Sequence, residues 1–429
     1  MTGVGYGWIA PTLVNLQKAG SELQLNDEET SWMASLHEVT HAIGPIFSFM
    51  FLDRIGRKNC FIISSFLLFL TWLLTIFARS ISLVYLTRLI FGFAISINEL
   101  TSSIYLGENC SPSIRGIICS LLPLCHYAGV FVEFVVATYL PYSTVAIINT
   151  IFGFITVLTI FLLKETPYYL VMKGHFKGAE KTLTWLNGDI CENESKIEIE
   201  KIKENIQLEK VKKNSYLTLF SSPENYKTVV TVFIITMLWV LSGFNSINSY
   251  ASTIFLSSTL TANEFTILLG IVQFGAACIS PFIVERYNRR TLLMISFLTM
   301  TLSQGATFIL FRTGFVSHHN VYFPWLLFAS VALYSFTLAL VYPAVFIIRG
   351  ELLPLSVKAI GGFLTVSVDS LASFLTIRLF PIITQQYGIE FNFLLYCTAS
   401  MLGCVYIYLA LPETRGKSLI DIQKSIKQT

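Results

Sequence analysis

Long apolar runs separated by short polar segments cover almost the whole chain. A helix needs roughly 20 apolar residues to cross the hydrocarbon core of a bilayer, and the runs at 61–78 and 393–411 have about that length. Six runs precede a long polar stretch, near residues 2–17, 31–52, 59–78, 82–106, 115–139 and 143–163. Six more follow it, near residues 228–255, 265–284, 291–312, 322–348, 359–381 and 389–411. The pattern predicts an all-α integral membrane protein with about twelve transmembrane helices.

The polar stretch divides these runs into two sets. It carries eleven lysines and a cluster of glutamates, and its isoleucines are spaced for short amphipathic helices. We therefore expect four regions in chain order. They are an N-terminal six-helix bundle at 1–163, a cytosolic helical connector at 164–227, a C-terminal six-helix bundle at 228–411 and a cytosolic tail at 412–429.

Basic residues are concentrated in alternate loops. Clusters of Arg and Lys follow the second, eighth and twelfth runs, whereas the intervening loops carry few. Because Arg and Lys are retained on the cytoplasmic side of a membrane, both termini and the connector are expected in the cytoplasm. The composition, with 54% hydrophobic and 13% charged residues, leaves too little polar surface for a soluble enzyme of this size. The eight cysteines form no CxxC pair, so they indicate neither a disulfide framework nor a zinc knuckle.

The loops also contain an internal repeat. Residues 53–58 (Asp-Arg-Ile-Gly-Arg-Lys) after the second run return as 285–290 (Glu-Arg-Tyr-Asn-Arg-Arg) after the eighth. Two further matches occur in the same order, at Glu108 and Arg115 against Glu351 and Lys358, and at 165–166 (Glu-Thr) against 413–414 (Glu-Thr). Three matched pairs predict two six-helix pseudo-repeats in the same direction, an arrangement that places a binding site between two rocking bundles.

These motifs resemble those of the sugar porters of the major facilitator superfamily, and of the insect trehalose and glucose facilitators in particular. Residues 53–58 match the family's D-R-x-G-R-R/K loop, and 241–245 (Leu-Ser-Gly-Phe-Asn) match its L-S-G-I-N motif. The other matches are Arg88 and Gly92 to R-x-x-x-G, Tyr105, Glu108, Arg115 and Gly116 to Y-x-x-E-x(6)-R-G, and 412–419 to P-E-T-K-G-x-x-L. The resemblance spans the chain and implies the major facilitator fold.

The resemblance also implies a cytosolic latch of charged side chains at helix ends. Arg and carboxylate groups of opposite bundles would pair while the cytosolic side is closed and separate when it opens, which biases a two-state equilibrium. The residues that the resemblance assigns to this latch are Asp53, Arg54, Arg57, Arg88, Glu108, Arg115, Glu285, Arg286, Arg289, Glu351 and Lys358. The alternative is that these charges only anchor helix ends at the lipid headgroups.

The sugar site of the family uses amides and an indole, and this chain departs from that pattern. The usual glutamines align with Pro123, Trp239 and Val240, and the Asn-Trp pair of span eleven becomes Asp369-Ser370. The residues that the resemblance places at the substrate are Asn245, Gln273, Phe346, Asp369, Trp239 and Glu99. Losing several donors and acceptors, each worth roughly 1 kcal/mol net, weakens polyol binding.

Two of these positions make the expected cavity more acidic. Glu99 and Asp369 both fall at inward-facing positions by alignment, and buried ionisable groups in a membrane usually face a cavity or pair with each other. We expect at least one of them to contact substrate or carry a proton. The alternative is that Asp369 has a buried partner.

Residues 37–41 (His-Glu-Val-Thr-His) satisfy the zinc-protease motif H-E-x-x-H. A twelve-span double repeat is not the architecture of intramembrane proteases, and the sequence announces no third ligand. We therefore expect no metal and no other cofactor. The favoured interpretation is that these side chains line a wet interface, with proton relay as a second role because His titrates near neutral pH.

The expected function is translocation of a sugar, trehalose or hexose-like, and not catalysis of bond formation. Facilitated diffusion by alternating access is the leading mechanism. The alternatives are proton-coupled transport of a sugar or another small molecule, and a non-transporting receptor or scaffold derived from a sugar porter. The expected partners are a small-molecule substrate and the lipid bilayer, not nucleic acid, and the family implies the plasma membrane.

Overall fold

The computed structural model describes residues 1–17, 23, 25–110, 112–187, 192–212, 223–255, 262–313, 322–352 and 358–413. All regular elements within these ranges are helices, which confirms the predicted all-α class. In chain order the first half contains α1 (Thr2–Gly7), α2 (Ile9–Leu16), α3 (Asp27–Ile55), α4 (Arg57–Ile76), α5 (Ile81–Asn109), α6 (Pro112–Tyr139) and α7 (Tyr142–Phe161).

The connector consists of three helices, α8 (Pro167–Met172), α9 (Phe176–Asn187) and α10 (Glu192–Lys212). Their apolar side chains form a separate small core around Val171, Leu183 and Ile199. We call the end of the molecule that carries these helices the connector end, and the other the far end.

The second half contains α11 (Pro223–Leu241), α12 (Phe244–Ser249), α13 (Ala251–Ile254), α14 (Ala262–Arg286), α15 (Arg289–Arg312), α16 (Phe323–Leu352), α17 (Lys358–Tyr387) and α18 (Ile389–Ala410). The run predicted as one span at 228–255 is therefore broken into α11, α12 and α13. The first break occurs at Gly243, whose φ of 90° is left-handed and strains any residue with a Cβ.

Ten of the described helices are long and apolar enough to cross a membrane. The first and second predicted spans are not among them. The first is divided at Trp8 into α1 and α2, and the second, α3, carries buried polar groups that include His37, Glu38 and His41. Both spans are accommodated because their polar or short segments pack against other helices and not against lipid.

The two halves repeat a helix cap at the connector end. The Glu165 carboxylate accepts hydrogen bonds from the backbone N–H groups of Arg57 (3.0 Å) and Lys58 (3.1 Å) at the start of α4. In the second half, the Glu413 carboxylate accepts the same two bonds from Arg289 (3.1 Å) and Arg290 (3.2 Å) at the start of α15. A negative charge at a helix N-terminus is favourable, so the repeated Glu-Thr pairs of the sequence have the same physical role in each half.

The two halves meet mainly along two pairs of helices, α3 with α17 and α6 with α14, with smaller contacts from α1 and α2 to the second half. At the far end of the first pair, Arg378 of α17 lies 3.4 Å from the Glu28 carboxylate of α3. Toward the middle, the Ser367 hydroxyl donates to the Ala42 carbonyl over 2.8 Å. Phe131 and Phe274 stack in the second pair with ring centroids 6.2 Å apart. These contacts hold the halves together around a central cavity.

Candidate substrate site between the two halves

A small cavity lies between the halves. The first half lines it with Tyr6, Glu38, His41, Glu99 and His126. The second half contributes three aromatic side chains, Phe244, Tyr342 and Phe346, and four polar ones, Asn245, Asp369, Ser370 and Ser373. One wall of the cavity is therefore polar and acidic, and the other wall is aromatic.

The acidic lining is organised by Glu38 of α3. Its carboxylate lies 3.5 Å from His37 Nε2 and 3.3 Å from His41 Nδ1, and its side chain is 1% exposed. On the other side of His41, the Nε2 atom lies 3.3 Å from the Glu99 carboxylate of α5. One histidine thus bridges two carboxylates in the interior of the protein.

Glu38 and His41 also join the two halves at the cavity. The Asn245 side-chain amide of α12 donates to Glu38 Oε1 over 3.3 Å and to the Ser373 hydroxyl over 2.7 Å. The Ser370 hydroxyl of α17 lies 3.1 Å from His41 Nδ1. Because Glu38 and His41 belong to the first half and Asn245 and Ser370 to the second, any rocking of the halves must break or replace the Asn245–Glu38 and Ser370–His41 contacts.

An ion pair forms the remaining polar wall. Arg349 of α16 lies 3.3 Å from Asp369 of α17, and its guanidinium packs 4.9 Å from the ring centre of Phe346. The sequence left two positions open for Asp369, at the substrate or beside a buried partner. The structure shows both, because the carboxylate pairs with Arg349 and also lines the cavity.

The aromatic wall extends from one half to the other. The Tyr6 and His126 rings of the first half lie 5.4 Å apart. His126 stacks on Tyr342 of the second half at 6.5 Å, and Tyr342 contacts Phe346 at 4.8 Å. Such a wall offers flat π faces of the kind that bind the apolar face of a ring or a cation.

Four of the six residues that the resemblance assigned to the substrate line this cavity: Glu99, Asn245, Phe346 and Asp369. The other two do not. Trp239 is 2% exposed and packs behind the aromatic wall, against Phe244 and Tyr342. Gln273 donates to Asn248 over 2.6 Å. Trp239 aligns with a glutamine that contacts the sugar in the family, but the rotation of α11 points its side chain toward the core of its own half.

Sequence reasoning missed the contributions of Tyr6, His126, Phe244, Tyr342 and Ser373 to the lining. A signal was available for some of them. Tyr6 lies in the glycine-rich start of the first span, and Phe244 is the residue before Asn245 in the L-S-G-F-N motif. The hydrophobic character of these rings made them indistinguishable from core residues in the sequence.

Several residues predicted for the latch form a cluster at the connector end. The Arg57 guanidinium, 4% exposed, lies 2.7 Å from the Glu108 carboxylate and 3.2 Å from Asp53. Glu108 also accepts a hydrogen bond from the Thr166 hydroxyl. All four residues belong to the first half or to the segment that follows it. The latch was expected to pair opposite halves, whereas this cluster ties α4, α5 and the connector together within one half.

Arg88 lies apart from this cluster, which corrects its assignment to the cytosolic latch. Twenty residues of α5 separate it from Glu108, or about 30 Å at 1.5 Å per residue. Its guanidinium is buried, 5.4 Å from the Trp8 ring centre and 4.9 Å from that of Phe91, and it lies 3.5 Å from His37 Nδ1. It therefore belongs to the layer behind the cavity.

The remaining latch predictions have different outcomes. Arg54 is exposed, and its carbonyl accepts a hydrogen bond from Tyr169 over 3.1 Å. Arg286 ends α14, and Arg289 contributes its backbone N–H to Glu413. The side chains of Arg115, Glu285, Glu351 and Lys358 lie outside the part of the chain that the structure describes.

The H-E-x-x-H segment does not have the surroundings of a zinc site in the described residues. His37 faces the Arg88 guanidinium, and a positive charge there opposes the binding of a metal cation. Among the His, Cys, Asp and Glu side chains that the structure describes, no group of three is arranged to hold a metal ion.

The far end is closed by contacts centred on Arg378. Besides its ion pair with Glu28, its guanidinium lies 4.7 Å from the ring centre of Trp32, and Trp32 contacts Phe374 at 6.0 Å. Glu28 and Trp32 belong to α3, whereas Arg378 and Phe374 belong to α17, so each of these contacts joins the two halves.

Replacing Arg378 with Gln is expected to favour opening of the far end. An exposed ion pair and a cation–π contact are together worth about 1 kcal/mol, so the open population should increase about fivefold. Spin labels at Arg79→Cys and Tyr387→Cys, on a background without native cysteines, measure the separation of the halves by pulsed electron resonance. Arg312→Gln is the control, because its pair with Glu390 is 3.7 Å long and lies within the second half. An unchanged distance distribution in Arg378→Gln would show that the contact does not hold this end closed.

Two six-helix halves around a polar cavity define a membrane transporter of the major facilitator type. The family model described as "Sugar (and other) transporter" matches residues 7–425, and the chain belongs to this family. It is an integral membrane transporter and not an enzyme, as the sequence motifs predicted.

Known relatives and solved structures agree with this assignment. The chain is 27% identical over 432 residues to the facilitated trehalose transporter Tret1 of Polypedilum vanderplanki, covering 99% of this chain and 85% of that protein. It is 26% identical over 435 residues to Tret1 of Apis mellifera ligustica, with the same coverage. The inward open conformation of the xylose transporter XylE from E. coli superimposes with a TM-score of 0.79 at 16% identity, covering 99% and 97% of the two chains. This superposition confirms the twelve-helix fold.

Proposed function

We propose that this protein carries a small sugar, of the trehalose or hexose type, across a membrane by facilitated diffusion. The observation that supports this most is the position of the cavity, which is lined by both halves and bridged by the contacts of Asn245 with Glu38 and of Ser370 with His41. The names of the insect relatives, which are facilitated trehalose transporters, favour the same substrate class and mechanism.

In the proposed cycle the substrate replaces the hydrogen bonds that hold the halves together at the cavity. Hydroxyl groups both donate and accept, so they can satisfy Asn245, Glu38 and Ser373 while the halves separate. The substrate then binds more tightly to the occluded arrangement than to either open one, and this difference in affinity is what drives the exchange of access. The Arg378 contacts at the far end, which join the two halves, would favour the arrangement that is closed there.

The test is counterflow in proteoliposomes that contain purified protein. Liposomes loaded with unlabelled trehalose should accumulate labelled trehalose transiently, and glucose, polyols and small organic acids define the selectivity. Asn245→Ala should reduce the flux at least tenfold, because it removes the contact between the halves and a substrate donor together. Binding of trehalose without any counterflow would instead identify a receptor that does not transport.

Proton-coupled transport is the second candidate, and one observation favours it. Glu38, His41 and Glu99, all of the first half, form a continuous chain of ionisable groups along the cavity lining, with both distances at His41 equal to 3.3 Å. Sugar uptake against a gradient that disappears when a protonophore is added would establish coupling. Uptake that only equilibrates the substrate, with or without the protonophore, supports facilitated diffusion.

We also propose that the connector end faces the cytoplasm and that the protein resides in the plasma membrane. The basic residues at the starts of α4 and α15 support the orientation through their retention on the cytoplasmic side, and the family supports the membrane. An epitope tag at the C-terminus that is stained in intact cells without permeabilisation would contradict the orientation, and tagged protein confined to internal membranes would contradict the location.

A further inference from the structure

Two carboxylates of the cavity remain partly open to its interior. The side chains of Glu99 and Asp369 are 38% and 26% exposed, whereas that of Glu38 is 1% exposed. Glu99 belongs to α5 of the first half and Asp369 to α17 of the second. A molecule in the cavity therefore meets one accessible carboxylate from each half.

Each of these carboxylates uses only one oxygen in its described contacts. Glu99 Oε2 lies 3.3 Å from His41 Nε2, and Asp369 Oδ1 lies 3.3 Å from Arg349. No described contact involves Glu99 Oε1 or Asp369 Oδ2. In addition, His41 is 5% exposed, and its Nε2 atom has no described hydrogen bond despite its short distance to Glu99. The cavity lining thus contains a buried nitrogen without a described hydrogen bond, next to Glu99, and two carboxylate oxygens without a described contact, one on Glu99 and one on Asp369.

The charge balance of the lining is negative. Among the described residues that line the cavity, three are carboxylates and none is Lys or Arg. Arg349 neutralises one carboxylate from behind, and a protonated His41 can offset one more. Arg88 approaches Glu38 through His37, which lies 3.5 Å from each. The described Arg side chains therefore lie behind the lining, and the cavity side of Glu99 and Asp369 faces none of them.

An ammonium group satisfies these features better than a neutral hydroxyl does. It donates three hydrogen bonds and brings a positive charge to the cavity side of the two carboxylates, and aromatic faces such as those of Tyr342 and Phe346 attract cations. A neutral hydroxyl can donate one hydrogen bond to a carboxylate but brings no positive charge to it. The replacement of the family's span-eleven asparagine, which donates as well as accepts, by Asp369, whose carboxylate only accepts, points in the same direction.

We propose that the cavity selects a hydroxylated ring that bears a protonated primary amine, that is, an amino sugar, with the ammonium group between Glu99 and Asp369. This inference rests on the proposed function as a carrier and narrows its substrate class. The ring of the substrate lies against the aromatic wall, and its hydroxyls replace the hydrogen bonds between Asn245, Glu38 and Ser373.

The test compares three probes with one ring skeleton in proteoliposomes: D-glucosamine, D-glucose and N-acetyl-D-glucosamine. Only the first carries a positive charge. Counterflow of D-glucosamine should exceed that of the other two by about tenfold or more, because a hydrogen bond to a charged group is worth at least that factor. An inside-negative potential of 100 mV should raise the equilibrium accumulation of D-glucosamine roughly fiftyfold and leave that of D-glucose unchanged.

Three variants locate the selectivity. Glu99→Gln and Asp369→Asn should each reduce the ratio of D-glucosamine to D-glucose flux about tenfold. If one of the two variants does not fold, the other still tests the proposal. Glu133→Gln is the matched control. Glu133 is also a buried carboxylate of the first half, but it binds Asn149 over 2.8 Å and does not line the cavity, so the ratio should not change.

The outcomes separate this inference from the proposed function. A D-glucose or trehalose flux that equals or exceeds that of D-glucosamine, with a ratio insensitive to Glu99→Gln and Asp369→Asn, would overturn the amine selectivity and leave sugar transport standing. Absence of flux for all three probes and for trehalose, with correctly folded protein, would overturn both.

Discussion

Replacing Glu108 with Gln is expected to destabilise the first half at the connector end by about 3 kcal/mol. The Arg57 guanidinium would keep its position, 4% exposed, but would lose a carboxylate that it contacts through both Nε (3.1 Å) and Nη2 (2.7 Å). Removing one partner of a buried ion pair typically costs 3–5 kcal/mol, and the Asp53 carboxylate at 3.2 Å compensates part of this loss. Thermal unfolding of detergent-purified protein, followed by size-exclusion chromatography, measures the effect.

The control for this experiment is Arg54→Gln, three residues from Arg57 and exposed. A surface change of this kind is expected within about 0.5 kcal/mol of the unaltered protein. Arg57→Lys adds a second comparison, because it keeps the charge and loses the bidentate geometry. Equal melting temperatures for Glu108→Gln and Arg54→Gln would mean that the cluster at the connector end contributes nothing to stability, and that its charges only anchor the helix ends.

Replacing Gly92 with Ala should destabilise the contact between α3 and α5 and reduce transport. A Cβ atom at this position would overlap the His37 carbonyl and the Thr40 hydroxyl, and that hydroxyl donates to the Leu89 carbonyl over 2.8 Å. Backbone atoms cannot rotate away as a flexible side chain can, so the two helices must separate. Overpacking of this kind costs typically 1–3 kcal/mol, and the displacement would include Glu38, the neighbour of His37.

A matched control lies on the same helix at Gly107. A Cβ there would meet nothing within 4 Å, and alanine is favoured over glycine in a helix by about 1 kcal/mol. Gly107→Ala should therefore unfold at the same temperature as the unaltered protein or at a higher one, while Gly92→Ala unfolds at a lower one and carries less substrate. Equal melting temperatures and fluxes for the two variants would contradict the close approach of α3 and α5.

The fold could be predicted in large part because its signals are local. The apolar runs correspond to α3 to α7 and to α11 to α18, and the repeated Glu-Thr pairs cap equivalent helices in the two halves. The breaks at Trp8 and Gly243 were not predicted. Hydropathy reports the composition of a window and not its backbone angles, so a left-handed residue within an apolar run leaves it unchanged.

The site was predicted less well, and the two kinds of error have different causes. Arg88 was assigned to the latch by its motif, although counting residues along its span would have placed it far from Glu108. Trp239, by contrast, could not have been placed by counting. Its contact with Phe244 and Tyr342 depends on how α11 is rotated within its half, and rotation about a helix axis is set by packing.

By itself, the sequence determined the membrane class, the two pseudo-repeats, the family and the acidic character of the expected site, because hydropathy, charge and motif spacing are properties of short segments. Only the tertiary structure decided which polar side chains contact each other in the cavity. Glu38 and Asn245 are 207 residues apart in the chain, and His41 and Ser370 are 329 apart. Such contacts arise from the packing of one half against the other, and a hydrogen bond between distant residues leaves no pattern in either of the segments that form it.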